Sequence, residues 1–248
     1  MWDLRNCLKA DFYKFYHSNI IKLHLIIPIM GIITFLSYYL ISPWSEVEKV
    51  MTYMQIVSIV FPLIISVIVN MVYEQEQEAG FQYFLGIVNK RSIAHFSKLI
   101  SIFVFGFIST IITTLGFGIT FYLMGNNSVG IELYFRQSLV IFGSNIIIYM
   151  VQYLVVFSFG KGASIGLGIV GSLISALMLT SIGDRIWYSV PWSYSIRLSS
   201  YTTLEALNIM VQNQPIAKSI TMMLTYIVIS LVLLLIFSNY WEGRKENY

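Results

Sequence analysis

The sequence predicts an all-α integral membrane protein, and three observations carry that expectation. Of 248 residues, 57% are hydrophobic and 11% are charged, against roughly a quarter charged in an average soluble domain. Six stretches are long and apolar enough to cross a hydrocarbon core, which takes about 20 helical residues. Lys and Arg also divide unequally between alternate connections. A soluble chain of this size would leave large apolar patches facing water.

The expected spans are residues 23–41, 56–73, 99–124, 138–159, 163–183 and 220–238, within one transmembrane domain over 1–248. The third is the clearest, because no Asp, Glu, Lys or Arg occurs between Lys98 and Glu132. Each such charge at mid-span opposes insertion by about 2.5–3.5 kcal/mol. Its excess length predicts a tilt or a kink. Arg5, Lys9, Lys14, Lys22, Lys90, Arg91, Lys98, Lys161, Arg244 and Lys245 fall on one side. Only Lys49, Arg136, Arg185, Arg197 and Lys218 fall on the other. Under the positive-inside rule this places both termini in the cytoplasm. Trp2, Trp44, Trp187, Trp192 and Trp241 lie outside the spans near their ends, the expected position of an aromatic belt.

Before the first span, residues 1–22 carry Asp3 and Asp11 among their bases and lack an early apolar core, which is unlike a cleavable signal peptide. Leu4, Leu8, Phe12 and Phe15 repeat at helical spacing, with Arg5, Lys9 and Lys14 on other faces. That pattern predicts an amphipathic helix lying on the membrane surface. The outer segment 184–219 is aromatic and broken by Pro191 and Pro215. It can dip into the bilayer where protein covers its backbone.

The most distinctive stretch is the connection 74–95. Glu74, Glu76 and Glu78 precede Ala79-Gly80, and Phe81, Phe84, Leu85 and Val88 then recur at i, i+3, i+4 and i+7. Three carboxylates suit a helix N-terminus, with Lys90 and Arg91 toward the other end. The apolar face fits a groove on a soluble partner; it equally fits a connector whose rings sit among headgroups. In the fifth span Ser164, Gly168, Ser172 and Ala176 recur every fourth position beside Gly162 and Gly166. Small residues so spaced let helices approach closely, in the same chain or in a second one.

Polar residues within spans are sparse. Asn145 and Gln152, seven apart on one face, either bond to neighbouring helices or line a path. No carboxylate falls at mid-span, which disfavours a pump driven by an intramembrane acid. His17, His24 and His95 are scattered without metal-ligand spacing, and no Ser–His pair falls within the membrane. Gly160-Lys161-Gly162-Ala163-Ser164 resembles a phosphate loop only in part, since Val155 stands where its first Gly is needed. Neither an enzyme nor a nucleic-acid binder is expected, and no cofactor or metal site is expected on this chain.

The layout resembles ABC-2-type permeases, most closely the E/G-type subunits of lantibiotic self-protection transporters. The likeness is carried by Glu74 to Leu85, then Asn89-Lys90-Arg91 and Phe96-Ser97-Lys98-Leu99, with Ala79-Gly80 running directly into Phe81-Gln82. Relatives often have one residue between those pairs. The resemblance implies that 1–22 is an elbow helix and that 184–219 forms outer re-entrant helices. It implies that Glu74, Glu76, Glu78, Gly80, Phe81, Gln82, Phe84 and Leu85 form a coupling loop docking on a separate ATPase, expected in two copies, which carries ATP and Mg. It further implies a second permease chain, identical or homologous, meeting this one near the first and fifth spans, in a bacterial plasma membrane. The implied task is expulsion of a lantibiotic or similar peptide from the bilayer. A lipid or small-drug permease, or a non-transporting recruitment protein, are the alternatives.

Overall fold

The computed structural model describes residues 2–88, 90–209 and 214–243, and of Trp2, Asp3, Leu85 and Ile87 the backbone alone. Among the described residues all regular structure is helical. In order these are α1 (Trp2–Tyr16), α2 (Asn19–Tyr39), α3 (Glu46–Glu78), α4 (Arg91–Ile111), α5 (Phe117–Leu123), α6 (Ile131–Phe159), α7 (Lys161–Leu177), α8 (Tyr194–Ala206) and α9 (Ile216–Tyr240). Five helical stretches are long and apolar enough to cross a membrane: α2, α3, α4 with α5, α6 and α9. The chain is therefore an all-α, multi-pass membrane protein.

The expected fifth span, 163–183, becomes the shorter α7. Its 17 residues rise about 26 Å, and single-turn 3-10 segments follow it. Helix α3 begins ten residues before the expected span, because Ser45 caps it. Ser45 Oγ accepts the Glu48 amide at 3.3 Å while the Glu48 carboxylate accepts the Ser45 amide at 2.8 Å, a reciprocal box that starts a helix early. The long third span contains a π turn at Ile112–Gly116, between α4 and α5. Within this turn the Thr113 carbonyl accepts from Tyr53 Oη at 2.9 Å.

Contacts sort the connections into two ends. Glu46 bonds Ser128, and Gln137 Nε2 donates to Ser199 O and Thr203 Oγ1, both at 2.9 Å; these belong to one end. At the other, Lys161 meets Glu74 at 2.5 Å and the ring of Trp241 packs on Phe157. Helix α8 is tucked against α3 and α6 by the Gln137 bonds and by Gln55 Nε2, which donates to Ser200 Oγ at 3.1 Å. Arg197 closes the end of α7 by donating to the Met178 carbonyl at 2.6 Å and the Thr180 carbonyl at 3.0 Å. It also pairs with Asp184 at 2.7 Å. The expected aromatic belt is only partly kept: Trp187 and Trp241 are buried in protein, whereas Trp44 is exposed.

The most apolar stretches of α3 and α6 are 56% buried, against 11% for α9, so α3 and α6 form the centre and α9 the rim. Outward residues of α9 such as Leu224, Val228 and Val232 are exposed, a surface that only an apolar solvent covers without cost. The stripe on α7 is turned inward by its helical drift. Ser164 and Gly168 are buried together with Gly171 and Ser175, while Ser172 and Ala176 flank them half-buried. A Cβ on Gly168 would fall 2.7 Å from Ser66 Cβ and 3.2 Å from the Pro62 carbonyl oxygen. The stripe thus packs α7 on α3 of the same chain and is not itself a free dimer face. Gly168→Leu is expected to cost about 1–3 kcal/mol through overpacking, read as a lower unfolding midpoint in detergent. Gly166→Leu, where a Cβ meets no atom within 4 Å, should leave that midpoint nearly unchanged.

Candidate functional site

The acidic run lies at the end of α3. Gly80, at φ +63°, lets the Phe81 amide reach the Glu76 carbonyl at 2.8 Å and the Gly80 amide reach the Gln77 carbonyl at 2.8 Å. These two bonds make the glycine-terminated helix end known as a Schellman motif. The expectation of a helix N-terminus is corrected here, because the glutamates occupy the last turns of α3, where the helix dipole disfavours negative charge. Their positive partners come from elsewhere in the chain. Glu74 takes Lys161, and Glu76 takes Lys98 and Lys14.

Glu76 sits in a buried charge cluster. Lys98 Nζ lies 2.6 Å from Glu76 Oε1 and 2.6 Å from Asp11 Oδ1, and all three side chains are fully buried. Lys14, one-third exposed, reaches Glu76 Oε1 at 2.9 Å. Asp11 also accepts from Ser97 Oγ at 2.5 Å and from Tyr83 Oη at 3.4 Å. Burial, reinforced by Cys7 and by the neighbouring Asp11 carboxylate, pushes the Tyr83 phenol far above its usual range, so it remains a neutral donor. Two carboxylates and two ammoniums balance. Such a cluster is costly to assemble and more costly to unbalance, so α1, the end of α3 and the start of α4 are held in one relation.

An aromatic cluster closes the same end. Phe81 and Phe84 are buried against Trp241, at ring distances of 5.1 and 5.8 Å, and Phe84 stacks on His95 at 4.3 Å. His95 Nδ1 lies 2.9 Å from Tyr153 Oη, and Arg91 Nη1 donates to the Trp241 carbonyl at 2.9 Å. The expected outward apolar helix face is thereby corrected. The segment Tyr83–Ile87 is a π turn and Phe81 lies at φ +54°, so both rings point into the chain's own core. What remains outward among the described residues of this connection is Glu78, Ala79, Gly80, Gln82, Gly86 and Lys90, with Glu74 half-buried. The side chain of Leu85, and Asn89, Arg244 and Lys245, lie outside the described residues.

Gln152 and Asn145 do not meet. Ser164 Oγ and Gln152 lie 2.8 Å apart, and Asn70 Nδ2 donates to Ser164 Oγ at 3.2 Å. With the Gln152 amide turned to satisfy both its ends, its nitrogen donates to Ser164 and its oxygen accepts the Gly168 amide at 3.1 Å. That ties α3, α6 and α7 together as polar glue. Asn145 donates to the Ile141 carbonyl of its own helix at 2.9 Å. Neither residue borders the cavity lying between α2 and α3.

Reading the sequence by spacing missed Asp11, Ser97 and Lys98 as one site. A signal exists for Asp11: Leu4, Leu8, Phe12 and Phe15 mark the apolar face of α1, and Asp11 falls on it, three residues after Leu8 and four before Phe15. A carboxylate centred on a buried stripe requires a partner. No protein-family model, curated protein or solved structure matches this chain.

Proposed function

We propose that this chain is the permease subunit of an ABC-type exporter that removes a lantibiotic or similar membrane-active peptide from a bacterial plasma membrane. The supporting observation is the cluster of Asp11, Lys98, Glu76 and Lys14. It couples the N-terminal helix, the end of α3 and the start of α4 as one mechanical unit, beside a connection that leaves Glu78, Ala79, Gly80 and Gln82 outward. A force applied there by a separate ATPase, two copies for a transporter dimer, moves α1 and α3 together. In this reading α7 is the fifth of six spans and α9 the sixth, α1 the elbow and α8 the outer re-entrant element. The Lys98 end is cytoplasmic under the positive-inside rule. ATP and Mg belong to the ATPase. A second permease chain, identical or homologous, meets the outward side of α7 where Gly162 and Gly166 are open.

The test is to look for ATPase and second permease genes adjoining this one, whose absence favours a recruitment protein, and to co-express those found with this chain in a lantibiotic-sensitive host. A severalfold rise in the inhibitory concentration of at least one peptide in a lantibiotic panel is expected, and it should vanish when the ATPase is inactivated. No rise across the panel ends the peptide assignment. A rise that survives ATPase inactivation ends the transport assignment.

A further inference from the structure

From the cavity between α2 and α3 we infer a second, independent ligand site: a mid-membrane pocket for a small, single-ring apolar molecule bearing one hydrogen-bond acceptor. The cavity measures about 150 Å³ and is lined by Pro28 and Gly31 of α2, Val57 and Phe61 of α3, Gly106 of α4 and Tyr149 of α6. All six lie well inside their spans, Gly106 midway along the continuous stretch of α4 with α5, so the pocket is at mid-depth, away from either headgroup layer. Its size matches one ring: an apolar cavity of about 150 Å³ takes up benzene.

Chemical specificity comes from Tyr149. Its side chain is 1% exposed, and its ring is held by Phe61, Phe103 and Phe142 at centroid distances of 5.8–6.4 Å. Among the described residues its hydroxyl makes no hydrogen bond, although Tyr53, Ser109 and Thr113, the other hydroxyls lining the cavity, bond the Thr113, His24 and Ser109 carbonyls. The hydroxyl rests over Gly106, where a Cβ would fall 3.0 Å from Tyr149 Cζ. The absence of a side chain at Gly106 is what lets the phenol occupy this place. A buried phenol without a partner is costly, and an acceptor on a bound ligand removes that cost. Gly31 and Val60 line the cavity and are themselves half-buried and exposed, respectively, on the surface of the helices, so entry is inferred to be lateral, from the hydrocarbon. A ketone, ether or ester on a small ring fits; a charged or extended ligand does not.

The experiment uses the full chain in lipid nanodiscs with 4-fluoroacetophenone as probe, followed by fluorine NMR against empty nanodiscs. Saturable binding is expected, weakened about fivefold in Tyr149→Phe, the loss of one neutral hydrogen bond. It should be abolished in Gly31→Leu, which adds a bulky side chain at a lining position where a Cβ meets no atom within 4 Å. 4-Fluoroethylbenzene, which lacks the acceptor, should bind wild type and Tyr149→Phe alike. No saturable component above empty nanodiscs, or ketone binding equal in wild type and Tyr149→Phe, or binding that survives Gly31→Leu, overturns the site.

Discussion

Replacing Lys98 with methionine is expected to lower the stability of the chain in detergent by about 3–5 kcal/mol, the cost of stripping the partner from buried charge. Lys98 is the ammonium within 2.6 Å of both Asp11 and Glu76, and none of the three side chains reaches solvent. Its loss leaves two carboxylates facing one remaining cation, Lys14. Glu76 keeps Lys14 at 2.9 Å, so the damage should centre on Asp11 and therefore on α1. Hydrogen exchange should rise in Trp2–Tyr16 before it rises in α6. The double variant Lys98→Met with Asp11→Asn restores neutrality, with Glu76 and Lys14 still paired, and should recover more than half of the loss. A wild-type unfolding midpoint for Lys98→Met would show that these groups are hydrated in the membrane. That result would also remove the support from mechanical coupling through the cluster.

Phe84→Asp is the second large effect. The docking-loop reading expects a chain that stays folded and releases its ATPase, because an outward ring can be exchanged without touching a span. In the structure Phe84 is fully buried, stacked on His95 at 4.3 Å and edge-on to Phe157 at 5.5 Å. Removing a buried Phe side chain costs about 3–5 kcal/mol, and an unpaired carboxylate adds to that. The variant should therefore melt early or fail to accumulate, and any loss of ATPase binding would follow from misfolding. Gln82→Asp, on an exposed residue, should leave the midpoint within about 0.5 kcal/mol of wild type. Comparing the two separates core from surface. If Phe84→Asp melts like wild type while ATPase copurification falls, the ring belongs to a partner interface.

Much of this architecture is legible in the sequence, because insertion into a bilayer is decided by local composition. The charge-free run from Leu99 to Ile131, and the apolar lengths of α2, α3, α6 and α9, needed no neighbour to be recognised. The face of α1 was legible in the same way, from Leu4, Leu8, Phe12 and Phe15. Boundaries were less so: α3 starts at Glu46 because of a two-residue reciprocal cap, and α7 stops at Leu177, just before the Met178 and Thr180 carbonyls that Arg197, from further along the chain, binds.

The candidate site was legible as a composition and not as a geometry. A run of Glu74, Glu76 and Glu78 before Phe81 and Phe84 reads equally as the start of a surface helix or the end of a membrane helix. The choice rests on Gly80, whose left-handed backbone stops α3, and on cations that arrive from α1, α4 and α7. Spacing rules reach only a turn or two along one helix. Asp11, Glu76 and Lys98 are separated by one or more turns and whole connections, so no periodicity joins them.

By itself, then, the sequence determined that this is an all-α membrane protein, where most of its spans lie and which residues are too polar to face lipid, since each follows from transfer free energies of short segments. Tertiary structure alone decided that Phe81 and Phe84 point inward, that the α7 stripe packs on α3, and that Asp11, Glu76 and Lys98 neutralise one another. Those outcomes depend on which surfaces meet in space, and pairing of buried charge is a property of the contact and not of either strand of sequence that supplies it.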